Sequence, residues 1–241
     1  MFEKGLATRQ KLLDISLQLF RERGFDQTTM RDIAKAAGMA TGAAYYHFPS
    51  KDAIVAAYYH TVQETQLAAM QASFASASSS GGTNGNATLR DRLVIAYRTA
   101  IDVIAKDRMM LHVVMRTMGD REHPLSVLGP GTHEVREMSR EIYVTALRGT
   151  EVPEEFLPVV SRAAMALQMA LVLYFFYDTS PGFARTYRLA EQAAALVAEL
   201  LTAVSSPMGQ VFAKPLLARI ERVLREADLL PEATTPAAVI K

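Results

Sequence analysis

The chain has 241 residues, half of them hydrophobic, which is enough for one large domain or two small ones around a sizeable core. Its formal net charge of +1 excludes a uniformly basic nucleic-acid binder, so any DNA-binding surface has to be local. The absence of cysteine excludes a disulfide framework, a thiolate nucleophile and a cysteine-ligated zinc site, and it fits a reducing cytoplasm. The N-terminus, MFEKGLATRQKLLD, lacks the apolar stretch of a signal peptide.

Helical periodicity begins close to the N-terminus. Residues 7–23 carry leucines and a phenylalanine at i, i+3 and i+4 spacing, and Gly24 is placed to end this helix. Thr28 or Thr29 is a candidate N-cap for a second helix, in which Asp32 can complete a turn of the capping-box type.

In the next segment, residues that end or begin helices follow one another closely. Gly38 breaks the second helix, and a short third helix is predicted over residues 40–47. Ser50 follows a proline and can cap a fourth helix, which is predicted over residues 51–74.

The rest of the chain is predicted to be helical, without β-alternation or an internal repeat. The serine- and glycine-rich residues 75–87 predict a flexible connection, and residues 229–241 predict a flexible tail. The later predicted helices span 88–106, 132–147, 153–178, 181–204 and 208–227, and a shorter segment, 108–118, is rich in methionine. We therefore expect an all-α fold.

Residues 28–54, TTMRDIAKAAGMATGAAYYHFPSKDAI, have the pattern of a helix-turn-helix motif. The second helix of such a motif enters the major groove of DNA, which is about 12 Å wide. The small residues 40–44 suit the leading face of that helix. There Thr41 can hydrogen-bond to a base edge or phosphate, and the alanines, including Ala44, can pack on thymine methyl groups. The motif therefore predicts DNA binding.

Polar side chains around the short helix can reach the phosphate backbone. Tyr45, Tyr46 and His47 lie one turn beyond the small residues. Lys51 lies in the first turn of the next helix, where the helix N-terminus itself favours phosphate. Tyr45 is equally compatible with a core position, which is the expected place of Phe48. Taken singly, His47 and Lys51 would be read as ordinary surface residues.

Residues 8–54, a fifth of the chain, resemble the DNA-binding domain of the tetracycline-repressor (TetR/AcrR) family of bacterial transcriptional regulators. An ordered series of short matches carries the resemblance. They are Thr8-Arg9, Leu19-Phe20, Gly24-Phe25, Thr28-Thr29, Asp32-Ile33-Ala34, Ala37-Gly38, Gly42, Tyr45, His47-Phe48 and Ser50-Lys51. The resemblance implies a cytoplasmic homodimeric repressor with a DNA-binding domain over 1–52 and a helical effector-binding and dimerisation domain over 53–228.

The resemblance also implies which residues contact double-stranded operator DNA. These are Thr28, Thr29, Thr41, Gly42, Tyr45, Tyr46, His47 and Lys51. The chain departs from the family pattern at two positions, because many members carry a lysine in place of Thr41 and a bulkier residue than Ala44. With few long donors on this helix, sequence specificity is expected to depend on methyl contacts and DNA shape.

Two long apolar helices, 153–178 and 181–204, resemble the pair that builds a four-helix dimer interface in the family. An alanine-rich face on the second permits close helix approach. The predicted interface residues are Leu171, Phe175, Ala190, Ala194, Val197 and Leu201. The same face can instead pack within its own subunit.

Methionine and aromatic residues in the C-terminal part suggest a site for a lipophilic small-molecule effector, because methionine adapts to irregular apolar shapes and pockets are mostly apolar. The candidate lining residues are Tyr97, Met109, His112, Val113, Arg116, Met165, Met169 and Tyr174, with Met110, Met118, Phe175 and Phe176 as further apolar members. Arg116 would allow a carboxylate or acyl group on the ligand. Each residue is also compatible with a core position. No cofactor or metal is predicted.

Two other kinds of protein remain as alternatives. An all-α enzyme or metal-binding bundle could use the i, i+4 pairs His60/Glu64 and His133/Glu137, although surface pairs of this kind are common. A membrane-surface or structural protein could use the apolar run 163–177. That run is shorter than the roughly 20 residues of a spanning helix, so we expect a helix buried in protein and no membrane association.

Overall fold

The computed structural model describes residues 2–79, 87–116 and 119–226, and this part of the chain forms ten α-helices and no β-strand. They are α1 (Phe2–Arg23), α2 (Met30–Ala37), α3 (Thr41–His47), α4 (Lys51–Ser79), α5 (Leu89–Ile104), α6 (Arg108–Met115), α7 (His133–Leu147), α8 (Leu157–Tyr177), α9 (Ala184–Ser205) and α10 (Pro207–Glu226). The predicted all-α class is confirmed. The predicted tail 229–241 and Met118 lie outside the described residues.

Helix α4 is longer than expected. It runs without interruption from Lys51 to Ser79, so residues 75–79 are helical and the prediction of a flexible connection beginning at residue 75 is wrong. Ser76 fits the helix because its Oγ donates to the carbonyl of Ala72 at 2.9 Å, one turn back. The helix also crosses the predicted domain boundary at residue 52, which stays a prediction.

The buried apolar side chains form two clusters. The first joins α1–α4 to α6 and the C-terminal end of α8, with Phe20 and Ile33 packed together with Leu111 and Phe176. The second lies between α4, α5, α7, α8 and α9. Helices α1–α3, which we call the head, therefore share a core with the remaining helices, the body.

A buried carboxylate also joins the head to the body. Asp107 is 1% exposed and lies in a short turn, Ala105–Asp107, between α5 and α6. Its carboxylate accepts a hydrogen bond from Arg21 Nε on α1 and another from Tyr58 Oη on α4 at 2.6 Å. Burial and the bond to Asp107 raise the pKa of Tyr58, so the phenol remains a donor. We call these three side chains the Asp107 junction.

Helix α8 has the composition of a membrane span. Within the described residues, the stretch Glu154–Tyr177 is long and apolar enough to cross a membrane, and half of its most apolar window is buried against other helices. The bent pair α9 and α10 meets the same criterion only if the two helices count as one span. Since core helices of soluble proteins share these properties, the expectation of no membrane association stays a prediction.

The Asp107 junction leads to a stability prediction. Arg21→Ala removes the cationic partner of a buried carboxylate, and we expect the free energy of unfolding in urea to fall by about 2 kcal/mol. Arg23→Ala, on the exposed last turn of the same helix, is the matched control and is expected to change stability much less. Equal losses in the two variants would contradict a structural role for the junction.

Candidate DNA-binding surface and internal cavity

Helices α2 and α3 form a helix-turn-helix with the geometry that the sequence suggests. Gly38 ends α2 with φ 71°, a left-handed conformation that glycine adopts without a Cβ penalty. Thr29 caps the start of α2, where its Oγ1 accepts from the backbone N of Asp32 at 3.2 Å and its own backbone N donates to the Asp32 carboxylate at 3.0 Å. The predicted turn and capping box are both confirmed.

The outer face of α3 carries most of the predicted DNA-contact residues. Thr41 and Gly42 are exposed in its first turn, and Tyr45 and Tyr46 are 49% and 86% exposed. The half-buried ring of His47 meets the ring of Tyr46 edge-on, with 5.3 Å between centroids. Large aromatic side chains left this exposed are typical of a surface that binds a partner. Tyr45 therefore lies outside the core.

Two residues of the motif lie elsewhere than expected. Thr28 is buried, and its hydroxyl donates to the carbonyl of Gly24 at 2.8 Å, so it closes the loop between α1 and α2. This placement does not support a side-chain contact between Thr28 and DNA. Ala44 is also buried, because it packs against α2 in the core of the head, and the expectation that it faces the DNA groove is wrong. Phe48 occupies the core as predicted.

Two lysine side chains, Lys51 and Lys11, donate hydrogen bonds to backbone carbonyls of the head. Lys51 Nζ donates to the carbonyl of Phe25 at 2.6 Å and lies 4.4 Å from the centre of its ring. A lysine ammonium has three N–H donors, so the half-buried Lys51 retains donors for a phosphate. Lys11, which the sequence reasoning missed, donates to the carbonyl of Ala37 at 3.1 Å and so satisfies the C-terminal end of α2.

The body contains a cavity of about 530 Å³ between α4, α5, α6, α7, α8 and α10, and it is partly open to solvent. This volume is in the range of pockets that bind small molecules, about 300–1,000 Å³. Its apolar lining includes Tyr59, Val62, Ile104, Leu111, Met115, Met165, Met169, Val172, Phe176, Ile220 and Leu224. Burial raises the pKa of Tyr59 to well above its usual value, so its phenol is uncharged.

A few polar groups interrupt this lining. Gln66 Nε2 donates to Gln168 Oε1 at 3.1 Å, and the same oxygen accepts from Tyr143 Oη at 2.6 Å. On another part of the wall, Arg162 Nη2 lies 3.6 Å from Glu137 Oε1. Burial lowers the pKa of Arg162, and the nearby Glu137 carboxylate opposes this effect.

The cavity agrees only partly with the predicted effector site. Met165, Met169 and Phe176 line it, as do Gln66 and Ser139, which the sequence reasoning missed. The other described candidates are not among the lining residues; they are Tyr97, Met109, Met110, His112, Val113, Arg116, Tyr174 and Phe175. Tyr97 is buried beside Tyr143 in the second core cluster, with 5.5 Å between ring centroids.

The lining residues predicted on α6 lie on the wrong face of that helix. Leu111 and Met115, one turn apart, point to the cavity, whereas Met109 is 74% exposed. Arg116 lies on the surface, where its Nη2 is 3.4 Å from Asp26 Oδ2 of the head. Methionine content therefore marks the correct helix, but it does not select the face that meets the cavity.

The predicted dimer residues pack within their own chain. Leu171, Phe175, Ala190, Ala194 and Leu201 are buried, and Val197 is partly buried against the same core. The alternative of packing within one subunit is the one that the structure adopts, because the small alanines let α9 lie close to α5. The apolar side chains that remain exposed on α8 and α9 are Leu173, Tyr174, Tyr177, Leu189, Leu196 and Leu200.

The metal-binding alternative gains no support from the geometry. Among the residues described, no group of three or more histidine and acidic side chains is placed to hold a metal ion. His60 Nε2 lies 3.8 Å from Glu134 Oε2, and Glu137 forms its ion pairs with Arg140 and Arg162.

The structure thus combines a helix-turn-helix head with a helical body that contains an apolar cavity. A family model described as "Bacterial regulatory proteins, tetR family" matches residues 12–58, and one described as "Tetracyclin repressor-like, C-terminal domain" matches residues 92–213. The second alone covers half of the chain. The chain therefore belongs to the tetR family of bacterial regulatory proteins.

Individual relatives match over a short region. The HTH-type transcriptional repressor KstR2 of Rhodococcus jostii is 55% identical over 47 residues, which cover 20% of this chain and 23% of the relative. The HTH-type transcriptional regulator AcrR of Shigella flexneri is 45% identical over 49 residues, with the same two coverages. The chain thus spans about a quarter of the length of these curated relatives.

A solved structure matches over most of the chain. It is the TetR transcriptional regulator from Nitrosomonas europaea, with 14% identity and a TM-score of 0.59 over 79% of this chain and 97% of that chain. At this identity the likeness shows the fold alone.

The capping box of α2 leads to a pH prediction. Hydrogen bonds from the Thr29 hydroxyl and backbone N–H lower the pKa of Asp32. The stabilisation is present above the ordinary carboxyl pKa of about 3.9 and is lost as the pH falls through the lower folded value. We expect the stability difference between wild type and Asp32→Asn, measured by urea unfolding, to be larger near pH 6 than near pH 3.

Thr29→Val is the companion variant, because it removes the hydroxyl that donates to Asp32 at 2.6 Å. It is expected to weaken the same pH dependence while leaving the carboxylate in place. A pH dependence that survives unchanged in both variants would assign it to other groups.

Proposed function

We propose that the chain is a homodimeric, sequence-specific DNA-binding transcriptional regulator of the cytoplasm, a repressor released from its operator by a lipophilic small molecule. The observation that carries the proposal is one chain with two separate sites. An exposed α3 lies in a helix-turn-helix head, and an apolar cavity of about 530 Å³ lies in the body.

The proposed DNA contacts follow from the exposed face of the head. Thr41 and Gly42 enter the major groove, since they are small and open the first turn of α3. The phosphate contacts are Thr29, Tyr45, Tyr46, His47 and Lys51, which ring that turn, whereas buried Thr28 is omitted. Helix α3, TGAAYYH, has no lysine or arginine for a bidentate contact to guanine, so DNA shape contributes to specificity.

Dimerisation uses the exposed apolar residues on α8 and α9 in place of the alanine face. Leu189, Leu196 and Leu200 lie on one side of α9, and each is at least 42% exposed in the single chain. Leu173 and Tyr177 are also exposed, one turn apart on α8, which contacts α9. A second copy is also what a palindromic operator requires, because two recognition helices about 34–36 Å apart enter successive major grooves.

Release from DNA follows from the position of the cavity. Tyr58 lines the cavity and belongs to the Asp107 junction, while Leu111 and Met115 bring α6 to the cavity wall. Arg116 at the end of α6 contacts Asp26 in the head. A ligand that favours another arrangement of α4 and α6 would shift the head spacing and lower DNA affinity by its differential affinity for the two states.

Selection from random duplex DNA tests the DNA-binding function, and Tyr46→Phe sharpens the test. The wild-type protein is expected to enrich a palindrome. Tyr46→Phe, which removes one exposed hydroxyl, is expected to bind that palindrome about three- to tenfold more weakly in fluorescence anisotropy. Tyr187→Phe, which removes a tyrosine hydroxyl that donates to Asp102 in the body, is the matched control and should bind like wild type.

If random DNA yields no enriched sequence, the proposed function fails. If the palindrome is enriched and the two tyrosine variants bind it equally, the function stands and Tyr46 is removed from the contact set.

Leu196→Glu tests the proposed dimer surface. Two glutamates would face each other in an apolar interface, so we expect micromolar protein to sediment as a monomer where wild type sediments as a dimer. Leu6→Glu, an equally exposed leucine on α1, is the control and should leave the dimer intact. A dimeric Leu196→Glu protein would place the interface elsewhere.

A further inference from the structure

The cavity wall contains polar atoms that the chain itself leaves unpaired. Gln63 Oε1 and Gln66 Oε1 on α4 and Ser139 Oγ on α7 are buried and have no hydrogen-bond partner among the described residues. All three residues line the cavity. Gln66 is 0% exposed and Ser139 is 5% exposed, so neither relies on bulk water. Buried polar groups without partners are rare in native proteins and call for an explanation.

The orientation of the Gln66 amide is determined by its neighbours. One end of the amide lies 3.2 Å from the carbonyl oxygen of Ala96, which only accepts, so that end is the Nε2 donor. The same nitrogen donates to Gln168 Oε1, and Tyr143 Oη donates to that oxygen as well. The opposite end of Gln66 is therefore an oxygen that needs a donor.

The arginines near the cavity do not require an anionic ligand. Three acceptors, the carbonyls of Val127 and Gly129 and Thr132 Oγ1, lie 2.6–3.0 Å from Arg136 Nη1, so both of its N–H groups have partners within the chain. Arg162 donates to the carbonyl of Pro158 at 3.0 Å and lies beside the Glu137 carboxylate. An added carboxylate would also face the unpaired oxygen of Gln66, which is a second acceptor.

We propose that the ligand of this cavity is an uncharged lipophilic molecule with a hydroxyl group that donates a hydrogen bond to Gln66 Oε1. Its apolar body lies against the methionine-rich wall formed by Met115, Met165 and Met169. Ser139, on the facing helix α7, offers a second polar contact to the same hydroxyl or to another. This inference rests on the proposed function, in which the cavity takes the effector.

Two isomeric probes test whether the ligand must donate a hydrogen bond. 1-Dodecanol and 1-methoxyundecane have the same atoms and similar shapes, but only the alcohol donates a hydrogen bond. We expect the alcohol to bind wild type about tenfold more tightly than the ether in isothermal titration calorimetry. Dodecanoate is the third probe and is expected to bind no more tightly than the ether.

Two matched serine variants test whether the preference for the alcohol arises at the cavity wall. Ser139→Ala removes an unpaired hydroxyl from the cavity wall, and Ser161→Ala removes an equally buried, unpaired hydroxyl that does not line it. The preference for the alcohol is expected to shrink in Ser139→Ala and to persist in Ser161→Ala. Gln66→Met is expected to abolish the preference while retaining the ether affinity. If Gln66→Met does not fold, the comparison of Ser139→Ala with Ser161→Ala tests the proposal by itself.

The outcomes separate this inference from the function on which it rests. If neither isomer binds wild type, the donor requirement is overturned, while the DNA-binding function is decided separately by selection from random duplex DNA. If both isomers bind equally and release the protein from its selected palindrome, the regulatory function stands and the donor requirement is overturned. Tighter binding of dodecanoate than of the alcohol, or a preference that is the same in all variants, also overturns it.

Discussion

The buried carboxylate of Asp107 determines how the two ends of the molecule are joined. Its oxygens are occupied by groups from two helices, the guanidinium of Arg21 on α1 and the phenol of Tyr58 on α4. Separating α1 from α4 and the start of α6 would leave this buried carboxylate short of a hydrogen-bond donor, which is costly. Tyr58 also lines the cavity. Tyr58 therefore connects the cavity wall directly to Asp107, the carboxylate that binds Arg21 on the first helix of the head.

The packing of α2 against α3 in the head depends on small residues. Ala37 and Ala44 are buried between α2 and α3, and their size allows the two short helices to approach closely. This packing uses one side of α3 and leaves the side of Thr41 and Tyr45 exposed. The surface available for the proposed DNA contact is consequently narrow. In the proposed complex, backbone contacts at its edge contribute affinity, whereas methyl groups and DNA shape are left to distinguish sequences.

Local features of the fold could be predicted from the sequence, because they depend on residues a few positions apart. The turn at Gly38 and the box formed by Thr29 and Asp32 belong to this kind. The choice between helix faces could not be predicted, because periodicity groups residues on a face without saying what that face meets. On α9 the alanines pack inside the chain and larger side chains such as Leu196 remain outside. On α4, the role of Gln66 depends on a carbonyl 30 positions away.

The last described helix has a consequence for how ligand recognition can change. Helix α10 turns by 103° from α9 and brings Ile220 and Leu224 to the cavity wall. In the sequence these residues lie far from every residue of the head. A frameshift, an early stop or a protease cut before Ile220 would remove part of this wall without altering any side chain of the head. Under the proposed function, the protein could thus acquire a different ligand range while keeping the same set of target genes.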